Sequence, residues 1–273
     1  MTLLVVGASG YLGGEVCRQA VAAGEQVVGT YHRTAGPADG VRWLPLDARD
    51  RAAVRALVCR LRPYAVINAA YAYGDWAATA DGAGYVAAAA VEVGARLVHL
   101  SSDAVHSGRP QPYVDDEPPT PSYPYGAAKA AAETAVRLVD SSAALVRTSL
   151  IIGDERSKQI QLCLDALSGA SAVRLFSDQI RCPVGVDDLA AAVRELVGSD
   201  YAGLINVAGP EAVSRVELGV LVARRYGLDP AQLATSTTAE SGLSGPAEVR
   251  LDSSRAAGLL ATRLRGVGEL LAS

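Results

Sequence analysis

Tyr125 and Lys129 lie four residues apart in Tyr125-Gly126-Ala127-Ala128-Lys129. In a helix that spacing puts both side chains on one face. An ammonium beside a phenol favours the ionised phenol, so the pair reads as a proton donor tuned toward neutral pH. The lysine carries most of the signal. The chain has 25 Lys+Arg, and only Lys129 and Lys158 are lysines. Arginine is a planar fork that stays charged, whereas lysine is a compact ammonium whose pKa follows its surroundings. A lysine kept in an arginine-rich chain points to work that arginine cannot do. Upstream, Ser101-Ser102-Asp103 closes an apolar run at 96–100. In an open α/β sheet, ligands bind beyond the carboxyl ends of the strands. Ser102 is therefore expected to hydrogen-bond a substrate carbonyl that Tyr125 protonates.

Gly7-Ala8-Ser9-Gly10-Tyr11-Leu12-Gly13 reads GxxGxxG directly after an apolar run at 3–6. Glycines in such a turn let the backbone approach a pyrophosphate, which rests on the N-terminus of the following helix. The spacing differs from GxGxxG, and the strand–turn–helix context gives the motif its weight. Gly7, Ser9, Gly10, Tyr11, Leu12 and Gly13 are thus expected to form a dinucleotide turn. An NAD-specific site would carry an acid about 20 residues further on. This chain has Gly29-Thr30-Tyr31-His32-Arg33 instead. A guanidinium suits a 2′-phosphate, so His32 and Arg33 favour NADP(H) over NAD(H). Asp47, with Ala48 after it, follows a short strand where a carboxylate can reach the adenine amino group. Asn68-Ala69-Ala70 ends another strand, and its small residues allow close backbone contact with the cofactor. With a nicotinamide present, Tyr125 protonates the carbonyl oxygen as hydride reaches its carbon. Lys129 then stabilises the phenolate and holds the ribose hydroxyls.

These residues need a scaffold, and the apolar pattern supplies one. Strands are expected at 3–6, 26–31, 65–68, 96–100, 144–147 and 204–207, and helices at 11–23, 51–62, 127–139, 160–169 and 186–197. Alternating strands and helices give an α/β fold of Rossmann type, a doubly wound parallel sheet. Residues 1–150 form the expected NAD(P)-binding Rossmann domain, completed by about 185–208. Residues 151–184 and 209–273 form a small C-terminal substrate lobe. The proline- and acid-rich segment 111–124 and the Ser/Thr/Gly-rich segment 234–246 read as loops, and Asp115-Asp116-Glu117 as a solvated loop face.

A net charge of −4 argues against a broad nucleic-acid-binding face. No apolar run is long enough for a membrane span, and no basic region precedes the first apolar run. Cys17, Cys59, Cys163 and Cys182 form no CxxC pair and read as reduced thiols, which suits a cytoplasmic protein. His32, His99 and His106 lack metal-ligand spacing, so no catalytic metal is expected.

Further blocks follow in order along the chain. They are Ser101-Ser102-Asp103-Ala104-Val105-His106-Ser107-Gly108, Pro112-Tyr113, Arg147-Thr148-Ser149-Leu150-Ile151-Ile152-Gly153, Asp178-Gln179 with Pro183, Asp187-Asp188-Leu189-Ala190 and Arg250-Leu251-Asp252. Together with the glycine turn, Asn68-Ala69-Ala70 and the Tyr125–Lys129 spacing, they resemble the extended short-chain dehydrogenase/reductase family. Within it the chain looks most like the dTDP-4-dehydrorhamnose reductase branch. The resemblance implies an oxidoreductase of deoxysugar biosynthesis that reduces the C4 ketone of a nucleotide-linked deoxysugar with NAD(P)H. It makes Ser102, Tyr125 and Lys129 the catalytic triad, and a homodimer is in keeping with it.

The chain departs from the pattern in two places. Ala104 and His106 stand where the family usually has aromatics. Tyr71, Tyr73, Asp75 and Trp76 stand where smaller or charged residues are usual. Both regions border the active site in such folds, and the aromatics either wall an apolar pocket or belong to the core. Tyr71, Ser102, Asp103 and Arg181 are the expected substrate-binding residues, with Arg147 a further candidate for a substrate phosphate. Two other readings stay open. One is a tailoring reductase for a carbonyl or imine of secondary metabolism, and the other is a non-catalytic NADP-binding regulatory subunit. A cluster of basic residues lining the pocket would favour the sugar nucleotide.

Overall fold

The computed structural model of the chain describes residues 1–169, 172–242 and 245–272. Seven parallel strands build the central sheet: β1 (Thr2–Val6), β2 (Gln26–Tyr31), β3 (Val41–Pro45), β4 (Ala65–Asn68), β5 (Arg96–Leu100), β6 (Ala144–Arg147) and β7 (Gly203–Asn206). Their order is β7-β6-β5-β4-β1-β2-β3. The chain starts at β1, winds outward to β3, then returns to β4 on the other side, and this reversal places the switch point between β1 and β4.

Strand residues alternate between two apolar layers. Leu3 and Val5 face one side with Val16 of α1 (Tyr11–Ala22). Leu4 and Val6 face the other with Val54 and Val58 of α2 (Arg51–Leu61), Val86 of α3 (Gly82–Val93) and Val136 of α4 (Pro124–Val139). A third cluster joins Ile160 and Cys163 of α5 (Lys158–Ser168) to other C-terminal residues. The first layer is completed by Leu189, Val193 and Leu196 of α6 (Val186–Val197). Leu218 and Val222 of α7 (Arg215–Arg225) complete the third cluster. The expected doubly wound parallel sheet is therefore present.

Several boundaries move for local reasons. Helix α4 starts at Pro124 rather than at 127, because proline at the first helical position needs no N–H and has its φ preset. Helix α5 starts at 158 rather than 160, because the Ser157 side chain accepts from the Gln159 and Ile160 amides. Helix α3 has no counterpart among the expected elements. It is alanine-rich, so its apolar stripe contrasts weakly with the rest of the helix, and Gly94 at φ 70° closes it. The expected loop at 234–246 holds a two-residue strand, Thr235–Ser236, and one helical turn, Thr238–Ser241. A capping box between Thr237 and Glu240 stabilises that turn. Positions 243 and 244 of that segment lie outside the described residues. Asp115 is not a solvated loop acid. It is buried, accepts from the Asn206 amide at 2.6 Å and lies 3.4 Å from Arg255. Among the described residues, no helix is long and apolar enough to cross a membrane.

Candidate active site

The glycine turn leaves β1 at the switch point. Gly7 has φ 80°, and its amide donates to Thr30 Oγ1 at 3.1 Å. A Cβ on Gly7 would lie 2.7 Å from the Ala70 nitrogen, and one on Gly13 would lie 2.4 Å from the Gly7 carbonyl oxygen. Only glycine permits this packing of turn, helix and the Asn68-Ala69-Ala70 segment. Helix α1 has no side-chain cap and no acid in its first turn, and Ser9 and Gly10 are exposed. Its free amides and dipole thus form a cradle that fits a dinucleotide pyrophosphate. Leu12 belongs to the core, so it serves the turn through its backbone. Tyr11 reaches across to accept from the Asp154 amide at 3.1 Å. Asn68 is buried: its Oδ1 accepts from Ala70 N and its Nδ2 meets His99 Nδ1, both at 3.2 Å. It therefore shapes the turn on which Ala69 and Ala70 lie.

Arg33 is exposed and makes no ion pair or hydrogen bond among the described residues. His32 Nε2 lies 3.6 Å from Asp47 Oδ2. Asp47 is engaged by Arg49, which donates from Nε at 2.9 Å and from Nη2 at 2.7 Å. Those bonds pull the Asp47 carboxyl down to about 2. The next residue, Ala48, faces α3, where a Cβ on Gly82 would sit 2.9 Å from its carbonyl oxygen. Arg49 also reaches Asp75 at 3.3 Å, which joins this edge to the aromatic segment after β4.

Ser102, Tyr125 and Lys129 meet beyond the end of β5. The cause is partly a glycine: a Cβ on Gly126 would lie 2.1 Å from the Ala104 carbonyl oxygen. With no side chain there, the first turn of α4 lies directly on the Ser102-Asp103-Ala104 turn. The Ser102 hydroxyl lies near the Tyr125 phenol and donates to Asp103 Oδ1 at 3.2 Å. Asp103 in turn accepts from Ser149 Oγ at 2.7 Å, which fixes the carboxylate that orients Ser102. Lys129 is buried, and its Nζ donates to the Leu100 carbonyl at 3.0 Å. Burial lowers its pKa to about 8, with Glu133 opposing.

The expected tuning of Tyr125 by Lys129 is not what the structure shows. Burial, followed by the neighbouring Tyr71, raises the phenol well above the ordinary tyrosine value, and nearby Ser102 offsets this only in part. The Lys129 ammonium is turned toward Leu100 and lies 5.2 Å from the Tyr71 ring centre. An undissociated phenol is still the form that donates a proton.

A layer of aromatic rings covers Tyr125. Tyr73 stacks on it at 4.5 Å and 16°, and Tyr71 lies tilted at 5.8 Å. Tyr71 and Tyr73 are 55% and 69% exposed, so they are not core residues. Lys158 Nζ lies 5.9 Å from the Tyr73 ring centre. The two lysines of the chain thus face the two tyrosines that flank Tyr125.

Residues 1–271 match the model of the RmlD substrate binding domain. The chain belongs to the RmlD substrate binding domain family. It is 31% identical over 255 residues to the spore coat polysaccharide biosynthesis protein SpsK of Bacillus subtilis, covering 89% of this chain and 86% of that protein. It is 29% identical over 256 residues to the dTDP-4-dehydrorhamnose reductase of Mycobacterium tuberculosis, covering 87% and 80%. A crystal structure described as a hypothetical dTDP-4-dehydrorhamnose reductase from Sulfolobus tokodaii superposes with a TM-score of 0.84 at 26% identity, covering 97% of each chain.

Within this RmlD-type chain, two expected phosphate ligands have other work. Arg181 donates from Nη1 to the Ile180 and Ala247 carbonyls and from Nη2 to the Pro246 carbonyl, and its Nε lies 3.7 Å from Asp103. It ties the C-terminal chain to the carboxylate behind Ser102. Arg147 is fully buried and grips Glu133 with bonds of 2.9 and 2.8 Å, while Nη1 donates to the Asp115 and Glu117 carbonyls. Ser101 Oγ donates to the same Glu133 at 2.5 Å. That node fastens β5, β6 and α4 together beneath the triad.

Arg215 is the residue that sequence reasoning missed. It occupies the first position of α7, where the helix dipole disfavours a cation, and no carboxylate pairs with it among the described residues. Its Nη1 donates to Gln159 Oε1 of α5. Burial lowers its pKa to about 10, and the charge of nearby Arg181 adds to that. Lys158 sits likewise at the first position of α5. The available signal was the capping box Ser214-x-x-Glu217, which marks a helix start and so exposes the mismatch of an arginine at 215.

Proposed function

We propose that this protein is an NAD(P)H-dependent reductase of the short-chain dehydrogenase/reductase type, acting on the keto group of a nucleotide-linked 4-keto-deoxysugar. The observation that carries the reading is the packing of the first turn of α4, which bears Tyr125, directly on the Ser102-Asp103-Ala104 turn, with buried Lys129 on the Leu100 carbonyl and the glycine cradle at neighbouring strand ends. A bound nicotinamide cofactor supplies the hydride. The Ser102 hydroxyl turns its proton from Asp103 Oδ1 to the carbonyl oxygen and polarises it. Tyr125 delivers its proton to that oxygen, converting ketone to alcohol. Lys129, which rests on the Leu100 carbonyl, swings its charge toward the phenolate once the proton has left, while Tyr71 and Tyr73 keep water from it.

Gly7, Gly10 and Gly13 cradle the pyrophosphate, and the unpaired Arg33 favours a 2′-phosphate, hence NADP(H) over NAD(H). Residues 151–184 and 209–273 serve as the substrate lobe. Arg215 at the first position of α7 and Lys158 at the first position of α5 offer positive charge to the substrate diphosphate. Such a basic pair favours a sugar nucleotide over an uncharged metabolite carbonyl.

Tyr125→Phe removes the proton and keeps the ring. Turnover is expected to fall by about a thousandfold or more, within the range of general acid catalysis. NADPH binding, read by fluorescence titration, should stay within about twofold. Equal turnover in the variant would sink this mechanism.

A further inference from the structure

Tyr11 stands where the glycine cradle and the C-terminal lobe touch. It is the first residue of α1, so its amide is one of the N–H groups the helix leaves free. Its hydroxyl reaches the other way and accepts from the Asp154 amide at 3.1 Å. A glycine permits that approach, since a Cβ on Gly153 would lie 2.4 Å from the Tyr11 hydroxyl oxygen. The Arg156 guanidinium lies 5.7 Å from the Tyr11 ring centre and is held there by Asp154 at 2.7 Å. Beyond this contact the chain is braced as far as α5. The Ser157 amide donates to the Asp154 carbonyl at 3.0 Å, and Gln161 Nε2 donates to the Glu155 carbonyl at 2.8 Å. Ser157 Oγ donates to the Ile151 carbonyl at 2.8 Å and accepts from the first amides of α5. Lys158 comes next, 5.9 Å from the centre of the Tyr73 ring that stacks on Tyr125. Only residues 154–157 separate the Tyr11 contact from Lys158, and a hydrogen-bonded segment that short passes a displacement along.

We infer that Tyr11 is a positioning residue that couples the two halves of the site. With a dinucleotide resting on the amides of α1, Tyr11 is fixed, its hydroxyl holds segment 154–157, and that segment sets Lys158 for the substrate diphosphate. The inference rests on the reductase reading above and adds an order of events to it: the protein takes its nucleotide substrate more tightly once the cofactor is in place. Such coupling is reciprocal, so the substrate tightens the cofactor by the same factor. A hydroxyl that only stabilised the fold would change substrate affinity equally with and without cofactor.

The test is calorimetric titration with thymidine diphosphate, in the absence and in the presence of saturating NADP+. This probe has no sugar to meet the nicotinamide and undergoes no reaction, so the titration reads coupling alone. The wild type is expected to bind it about fivefold or more tightly with NADP+ present. Tyr11→Phe keeps the ring and loses the acceptor, and its ratio should fall close to one. Gly153→Ala should do the same by pushing the segment off the hydroxyl. Added to Tyr11→Phe it should lower the ratio no further, because the oxygen it meets is gone. Each ratio is taken within one variant, so a general change in affinity cancels. A wild-type ratio of one, or a Tyr11→Phe ratio equal to that of the wild type, overturns the inference and leaves the reductase reading standing. Absence of thymidine diphosphate binding to the wild type in both states overturns the sugar-nucleotide reading and the inference with it.

Discussion

Lys129 is buried, and burial takes its ammonium down to about 8. It is therefore mostly charged at pH 7 and loses charge as the pH rises through about 8. Because the phenolate of Tyr125 needs that charge, kcat should show an alkaline limb near pH 8. A profile flat to pH 10 would contradict the role given to Lys129. Stability moves the other way. The unfolded lysine titrates at about 10.4, above the folded value. Between about pH 8 and 10.4 the unfolded chain binds more protons, so this group's contribution to stability rises with pH across that window. Ser102, Tyr125 and Lys129 were legible because spacing and the scarcity of lysine singled them out. The partners of arginines were not. Arg181 and Arg147 spend their donors on carbonyls and buried acids far away in the chain, which no local pattern records. The tuning of Tyr125 was hidden for a related reason, since its dominant cause is burial by the fold around it.

Helix α4 bears Tyr125 and Lys129 of the proposed triad, and its first turn depends on a glycine. At Gly126 a Cβ would meet the Ala104 carbonyl oxygen, which is backbone and cannot swing away. Gly126→Ala should therefore force α4 off the Ser102 turn. Overpacking of this kind costs about 1–3 kcal/mol, which lowers Tm by several degrees in a protein this size. The loss in kcat should exceed what the loss of folded protein explains, because the shift separates Tyr125 from Ser102. An unchanged Tm and kcat would show that this contact does not set the catalytic geometry. Strands β1, β4 and β5 were legible as short apolar runs ending at Gly7, Asn68 and Ser101. Helix α3 was not, because alanine fills both its buried and its exposed positions. The start of α4 was obscured by prolines that read as loop, although the last of them is the first residue of the helix. The turn at Thr238–Ser241 depends on a four-residue capping box, too short for any periodicity.

Across the whole molecule, the proposed reading brings two binding regions to one chemical centre. The glycine cradle and Arg33 lie on the side of β1 and β2, and Lys158 and Arg215 sit on α5 and α7. Tyr125 lies between them, under Tyr73. The doubly wound sheet was readable from the alternation of elements; the strand order that sets its switch point was not. The way α5 and α7 turn their first residues toward the site was not, because it depends on packing among Ile160, Cys163, Leu218 and Val222. The measurement that tests the account most directly is oxidation of NADPH, with NADH in parallel, by the purified protein given a nucleotide-linked 4-keto-6-deoxysugar. The account predicts substrate-dependent oxidation, faster with NADPH, and formation of the C4 alcohol. Tight NADPH binding without oxidation of either cofactor would contradict it.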